Sequence, residues 1–279
     1  MKEKNETAVT EKGVVVAGTQ AVATYQEPFD DGFGELAPSD VRIPRLIIVQ
    51  PQVKGMPEEA VGKLHINITG DFWDNLTVCP MKMVKTRICF PKEYDEENEP
   101  LCRSHDNKNP ANDILNATPL CDSCELLPKA EGEKRAKYKC QYANWTTTDK
   151  GKSKPPQCQE TYNYLLVDLE SYMPMWGSFK STAVSAAVKI TSSLKILCQA
   201  KKVGMWGMQF DIATQKDKNG GNFYLPVLSS PVKVGEDHAL SMAEIREQVK
   251  HIMPSDSAEQ EAPDVSGAPP VKTEDPEEF

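Results

Sequence analysis

The chain has 279 residues, 39% of them apolar, which allows one large domain or two small ones with a substantial core. It contains no run of about 18 apolar residues, and Met1-Lys2-Glu3-Lys4-Asn5-Glu6 lacks the apolar stretch of a secretory signal, so a soluble intracellular protein without membrane contact is expected. The net charge of −9 is uneven: residues 1–40 carry three lysines against eight acids, residues 254–279 one lysine against eight, and the body between them is left at +3. An acidic protein with a mildly basic body remains compatible with an anionic partner.

Residues 1–40 mix Glu, Thr, Gly and Gln without periodicity and read as a flexible acidic arm. Order is expected from residue 41, with β runs at 41–49 and at 63–69, where apolar and polar residues alternate. A longer β run at 76–90 has Lys82, Lys85 and Arg87 interleaved. Strands with one apolar and one polar face predict a small barrel or sandwich. Residues 91–157 are rich in Lys, Glu, Asn and Pro and poor in aliphatics, so they read as an insertion between strands. Strand character resumes at 162–169, Pro174 interrupts it, and 175–180 reads as a further short strand. Ser181 or Thr182 caps a helix reaching about Lys201, with Ala183, Ala186, Ala187, Ile190, Leu194 and Leu197 as its apolar stripe. Residues 205–214 and 222–234 flank Asn219-Gly220, a tight-hairpin signal. A terminal helix over 239–252 ends at Pro254, and a disordered acidic tail follows.

Cysteine spacing carries the strongest chemical signal. Cys121-Asp-Ser-Cys124 lies between Cys102 on one side and Cys140 and Cys158 on the other, the spacing of a zinc site. Four N-x-T sequons (Asn67, Asn75, Asn116, Asn144) fit a secreted disulfide framework superficially, but such short motifs arise by chance in Thr-rich strands. The preferred ligand set is Cys102, Cys121, Cys124 and Cys158, because the last sits where strand character returns and would pin the insertion to the sheet. Cys140 and His105 are alternates. Cys79, Cys89 and Cys198 sit in apolar patterns and read as buried small residues. A catalytic metal would need a nearby general base and an open coordination position. His105 is followed by Asp106 rather than by the His-Glu pattern of zinc hydrolases, so a structural Zn2+ and no enzymatic activity are expected.

Basic residues form a second constellation. Residues 171–210 carry Lys180, Lys189, Lys195, Lys201 and Lys202 and no acid, and aromatics are interleaved with the cations along the body. Single-stranded nucleic acid calls for that mixture, since cations follow phosphates while rings stack on bases. At the other extreme of charge, Glu274, Asp275, Glu277 and Glu278 precede Phe279, which offers a partner an apolar anchor within an acidic tip.

The order Arg42-Ile43-Pro44-Arg45-Leu46, Cys102-Arg103-Ser104, Cys121-x-x-Cys124, Pro155-Pro156-x-Cys158, Tyr162-Asn163-Tyr164 and Ser178-Phe179-Lys180-Ser181-Thr182 resembles single-stranded-DNA-binding proteins of phages and mobile elements. The Phe-tipped acidic tail is similar to tails through which bacterial and phage proteins of that kind recruit replication partners. The resemblance implies a mainly β, α+β fold: an OB-like barrel over residues 41–253 with a zinc-binding insertion at about 91–161 and one or two helices. It implies a protein that coats and protects single-stranded DNA in replication or recombination, in the host cytoplasm if phage-encoded. Lys82, Lys85, Arg87, Lys180 and Lys189 would then contact phosphates, and Trp73, Tyr162, Tyr164, Trp176 and Phe179 would stack on bases. The tail residues Glu274, Asp275, Glu277, Glu278 and Phe279 would engage replication or recombination proteins. Two rivals stand beside it: a zinc-dependent nuclease using His105 or Asp106, and a zinc-containing module for transcription or protein interaction.

Overall fold

A computed structural model describes residues 43–53, 55–89, 100–111, 122–129, 131–132, 137–147, 151–218 and 221–254. The expected N-terminal arm, the C-terminal tail with its Phe279 tip, Cys121 and the Asn219-Gly220 turn lie outside the described residues.

Three short strands come first: β1 (Arg45–Ile48), β2 (Leu64–Ile66) and β3 (Phe72–Trp73). They form an antiparallel meander in which Leu46 faces Ile66 and Leu64 faces Trp73. β4 (Asn75–Cys89) is the long β-rich run found in the sequence, and β5 (Cys102–Ser104) pairs with its far end. β6 (Thr146–Thr147) and β7 (Ser153–Lys154) make a separate two-stranded ribbon. β8 (Cys158–Asp168) begins four residues before the strand expected at 162 and pairs antiparallel with β4 from Cys89↔Cys158 to Val78↔Asp168. Pro80 has no N–H for the ladder, and the register shifts there, between Pro80 and Lys82.

Pro174 starts a strand rather than breaking one. It is the first residue of β9 (Pro174–Phe179), a position where the missing N–H is tolerated. The reversal lies just before it, where Tyr172 adopts φ +59° and the Asp168 carboxylate accepts hydrogen bonds from Ser171 N (2.9 Å) and Ser171 Oγ (2.6 Å). β9 pairs antiparallel with β8 and parallel with β1. After one 3-10 turn, Ser181–Ala183, comes helix α1 (Val184–Lys201), which ends where Lys202 turns left-handed. β10 (Met208–Lys216) and β11 (Tyr224–Leu228) form the expected hairpin, and Asp217 N donates to Phe223 O (2.9 Å) across its loop. β12 (Val232–Lys233) borders β10, and α2 (Glu236–Val249) follows.

The fold is therefore mixed α+β, mainly strands, with a ten-stranded sheet running β11-β10-β4-β8-β9-β1-β2-β3 and with β5 and β12 appended. Its hydrogen-bonded path is open, ending at β11 and β3, and is not a closed barrel. The sheet is nevertheless wrapped far enough for its two sides to meet. The Gln50 side chain, 2% exposed, donates to Tyr224 O (2.9 Å) and accepts from Tyr224 N (2.8 Å), filling the place of a ladder pair between the end of β1 and β11. Beside it Thr214 Oγ1 donates to Gly62 O, and Gly62, at φ +86°, lies under the Tyr224 ring, where a Cβ would come within 2.4 Å of ring carbon.

Strand alternation divides the apolar residues between two cores. On the concave side Leu46, Leu64, Val78, Tyr164, Leu166, Met175, Phe210 and Ile212 pack with Ala187, Ile190 and Leu194 of α1. The Tyr164 hydroxyl reaches Thr191 Oγ1 and ties β8 to that helix. On the convex side Cys79, Leu165, Val167 and Trp176 are covered by Met242 and Val249 of α2. No described helix is long and apolar enough to cross a membrane.

Candidate functional site

Past the concave core, β4 and β8 continue as a ribbon with β5 alongside. Residues directly opposed across antiparallel strands project to the same face. The ribbon therefore presents successive rows: Lys85 with Tyr162; Arg87 with Glu160 and Ser104; and Cys89 with Cys158 and Cys102. Cys140 and Ala143, at the two ends of a short 3-10 turn, bury against the last row. Cys124 is buried within electrostatic reach of Cys102 and Cys158.

Three of the four preferred ligands, Cys102, Cys124 and Cys158, thus come together, and the alternate Cys140 joins them. Cys121 lies outside the described residues. His105 is half-buried in the turn after β5. Cys89 is buried as expected, and it is buried in this cluster rather than in either main core. The register of β4 against β8 places it opposite Cys158, and the sequence signal for it was the period-two series Lys85, Arg87, Cys89, matched across the sheet by Tyr162, Glu160, Cys158. Cys79 and Cys198 do lie in apolar packing, and burial pushes the Cys79 thiol up to about 12. None of the seven described cysteines is in a disulfide. Among the described residues no group of three or more His, Cys, Asp or Glu side chains has the geometry of a metal site.

Charge around the cluster is specific. Arg87 is 3% exposed; its guanidinium carbon lies 3.8 Å from the Tyr138 ring centroid and one of its nitrogens 3.8 Å from Glu160 Oε1. Glu160 Oε1 is shared, since it also takes Lys85 Nζ (3.2 Å) and Asn107 Nδ2 (3.0 Å). Lys85 rests over the Tyr162 ring at 4.3 Å. The hydrogen bond with Cys89 and burial raise the Cys158 thiol well above its ordinary value, while Arg87, hydrogen-bonded to it, pulls the other way. Burial likewise raises Cys124, opposed by Ser104. The donor set is soft, buried and adjacent to a buried cation, which suits thiolate ligation of zinc.

Asp106 is occupied by its own loop. Its carboxylate accepts from Lys108 N (2.8 Å), Asn109 N (2.8 Å), Asn109 Nδ2 (2.9 Å) and Ser104 Oγ (3.2 Å). Burial opposes ionisation, but these bonds prevail and hold it down at about 2.

The expected nucleic-acid residues divide sharply. Tyr164 (0% exposed), Trp176 (2%), Phe179 (5%) and Tyr162 (6%) are buried, with no ring face open to a base. The alternation that suggested strands with interleaved aromatics put those rings into the two cores, because aromatics supply much of the buried area. Trp73 is half-buried and packs on the concave core. It borders a cavity of about 670 Å³ whose charged lining, Asp168, Glu170, Asp237 and Lys233, is mostly acidic and unsuited to phosphate. Lys82 caps α2, its Nζ donating to Lys250 O (3.1 Å) and Ile252 O (3.1 Å), so its ammonium is engaged at the end of that helix. Arg87 is buried with the cysteines and is likewise withdrawn from solvent. Lys85 is held by Glu160. Lys180 is half-buried ahead of the 3-10 turn, and Lys189 is exposed on α1. The tail residues Glu274 to Phe279 lie outside the described residues.

One large aromatic left out of the expected stacking set is open to solvent. Trp145, 51% exposed, directly precedes β6 in the cysteine segment, which also carries the exposed Lys137, Lys139, Lys152 and Lys154, with Lys139 ion-paired to Glu125 (2.6 Å). No protein-family model, curated protein or solved structure matches this chain.

Proposed function

We propose that the protein binds single-stranded DNA without strong sequence preference, on an OB-like scaffold held at one end by a structural zinc, and that it is not an enzyme. One observation carries this reading: the strand order. β4, β8 and β9 form an antiparallel meander, α1 connects β9 to β10, β10 returns antiparallel beside β4, and β11 is its hairpin partner. This order supports an OB-like reading, in which β4, β8, β9, β10 and β11 would be the five barrel strands and α1 the helix between the third and fourth. β1 occupies the place where the third and fifth strands would meet, and Gln50 bridges the remaining gap to β11. In such folds the first-to-second and fourth-to-fifth strand loops grip oligonucleotides. Here the first-to-second connection is the long cysteine segment, and the fourth-to-fifth is the β10–β11 loop with Lys216 and Lys218 at its start.

The zinc assignment is supported by Arg87. A buried guanidinium needs compensating charge, and Glu160 is already shared by three donors. Four thiolates around a divalent ion carry a net double negative charge, and Arg87 would neutralise part of it through Cys158. Cys102, Cys124 and Cys158, with Cys121 or Cys140, would hold the ion, and Cys89 would pack against it. The acidic Phe-tipped tail is proposed to recruit replication or recombination proteins. The zinc-nuclease rival is weakened by Asp106, whose oxygens are engaged within their own loop.

Fluorescence anisotropy with labelled oligo-dT and a matched duplex over a salt series tests the function. Tight oligo-dT binding with a log–log salt slope of about −0.7 per phosphate neutralised, and weaker duplex binding, is expected. Equal affinity for both, or none for either, refutes it.

A further inference from the structure

We propose that the solvent face of α1 is a phosphate track for single-stranded DNA, with Lys189 and Lys195 as its central contacts; the inference rests on the function proposed above and names a subsite of it. The apolar stripe of α1 faces the concave core through Ala187, Ile190 and Leu194. On the opposite side Val188, Ser192 and Ile196 follow one another at four-residue spacing as an exposed ridge, with Lys189 on one flank and Lys195 on the other. Six residues of helical rise put the two lysines about 9 Å apart along the axis.

These cations have no acid to answer them. Residues 171–210 contain no Asp or Glu, so α1 has none of the acidic i,i+4 partners that pair with lysine on an exposed helix. The helix packs on β8, β9 and β11 and on the 3-10 turns Ser181–Ala183 and Met205–Gly207. Of these only β8 carries acids: Glu160, held by Lys85 and Asn107, and Asp168, held by Ser171. Among the described residues Lys189, Lys195, Lys201 and Lys202 make no ion pair and no side-chain hydrogen bond. Lys201 and Lys202 stand at the C-terminus of α1, where the helix dipole itself favours cations, but Lys189 and Lys195 lie in its interior, where it does not.

Charge and surface together select the occupant. A bilayer needs a broad apolar face and a folded acidic partner needs an apolar interface centre, whereas this face exposes only the aliphatics Val188 and Ile196, eight residues apart. A polyanion asks for cations spaced along a line with room for its backbone between them, which the small Ser192 provides. Position agrees with this. Ser181 Oγ donates to Gln159 Oε1 (2.6 Å), beside Cys158, and the same 3-10 turn packs on β11. The helix therefore starts between the cysteine segment and the β10–β11 hairpin, the two connections assigned to gripping an oligonucleotide, and a strand held by both runs past Lys189.

The test is oligo-dT binding by the full chain as K189Q/K195Q, followed by anisotropy from about 0.1 to 1 M salt. K63Q/K250Q is the charge-matched control, since Lys63 and Lys250 are ion-paired to Asp74 and Glu247. Losing two phosphate contacts at about 0.7 each should lower the log–log salt slope by about 1.4, which makes binding about 25-fold weaker at 0.1 M salt and lets it converge on wild type near 1 M. The control should stay within about threefold of wild type, K189R/K195R should restore the slope, and far-UV circular dichroism should be unchanged throughout. If the control loses as much as K189Q/K195Q, or if poly-L-glutamate displaces labelled oligo-dT as well as unlabelled oligo-dT does at equal charge, the face reads charge alone and the track is refuted. If wild type binds with a steep salt slope and K189Q/K195Q keeps that slope and binds within about twofold of it, the track is refuted and the proposed function stands. If wild type itself does not bind, both fall.

Discussion

Replacing Gln50 by Ala tests whether the sheet is closed by a side chain where no strand pairing exists. Gln50 makes two hydrogen bonds to one residue, 2.9 Å to Tyr224 O and 2.8 Å to Tyr224 N, and is itself 2% exposed. Each bond is worth about 0.5–1.5 kcal/mol net, and removing the amide leaves both Tyr224 backbone groups without their partner at a half-buried site that water reaches only in part. A loss of about 2–3 kcal/mol follows, read as a lower urea midpoint at unchanged slope. Gln50→Glu is the sharper variant. An ionised carboxylate still accepts from Tyr224 N but has nothing to donate and faces the Tyr224 carbonyl, so it should be at least as destabilised as the alanine variant at neutral pH. Hydrogen exchange at the Tyr224 amide should accelerate in both. Wild-type stability within 0.5 kcal/mol in Q50A, or full stability in Q50E, would refute the bridge and leave β11 as an ordinary open edge.

The zinc proposal predicts about one equivalent of metal in the purified chain, lost in C102S, C124S and C158S and measured by elemental analysis. C89S should keep the metal, and comparison of C121S with C140S identifies the remaining ligand. Lys82→Met should lower stability by about 1 kcal/mol through the lost cap on α2 while oligo-dT affinity stays within twofold, which separates a cap from a phosphate contact. Asp106 is held at about 2 when folded, below its ordinary 3.8, so its contribution to stability is fully present above about pH 4 and is lost as the pH falls through 2. Asp106→Asn should therefore flatten that part of the acid-unfolding curve, followed by circular dichroism, and an unchanged curve would count against the loop's hydrogen bonding.

Strand order was not legible in the sequence, and neither were the short strands β3, β5, β6 and β7, but the longer strands were, because alternation survives even where both faces are covered. Leu76 and Val78 mark one face of β4 and Cys79 the other, and both carry buried apolar residues. For the same reason the aromatics misled. Phe179 adjoins Lys180 in the chain, but a strand sends neighbours to opposite faces, and the rings of Tyr162, Tyr164, Trp176 and Phe179 all face core. Pro174 was read as a break because proline cannot donate to a ladder, yet the first residue of a strand need not donate. Cys89 was legible as a buried residue but its place beside Cys158 was not, because the two are 69 positions apart and only the β4–β8 register joins them.

The position of α2 narrows where nucleic acid can lie on the proposed scaffold. In an OB fold the outer face of the second and third strands receives the oligonucleotide, and here the lower half of that face, Leu165, Val167 and Trp176, is sealed by Met242 and Val249. The upper half is polar instead. Asn163 Nδ2 donates to Thr86 Oγ1 (2.9 Å), and Ser178 Oγ donates to Asn163 Oδ1 (2.7 Å), forming a row across β4, β8 and β9 that leads toward the cysteine segment. Asn163 is 1% exposed and spends its amide on neighbours, so it offers little to a ligand. With one half covered by a helix and the other satisfied internally, the sheet face supplies neither rings nor free cations. On the proposed function, binding would then fall to what projects beyond the sheet, where the cysteine segment lies. A metal that fixes that segment to β4 and β8 would, on this argument, be a condition of affinity as well as of folding. Chelation should weaken oligo-dT binding in step with metal loss even where the concave core stays folded.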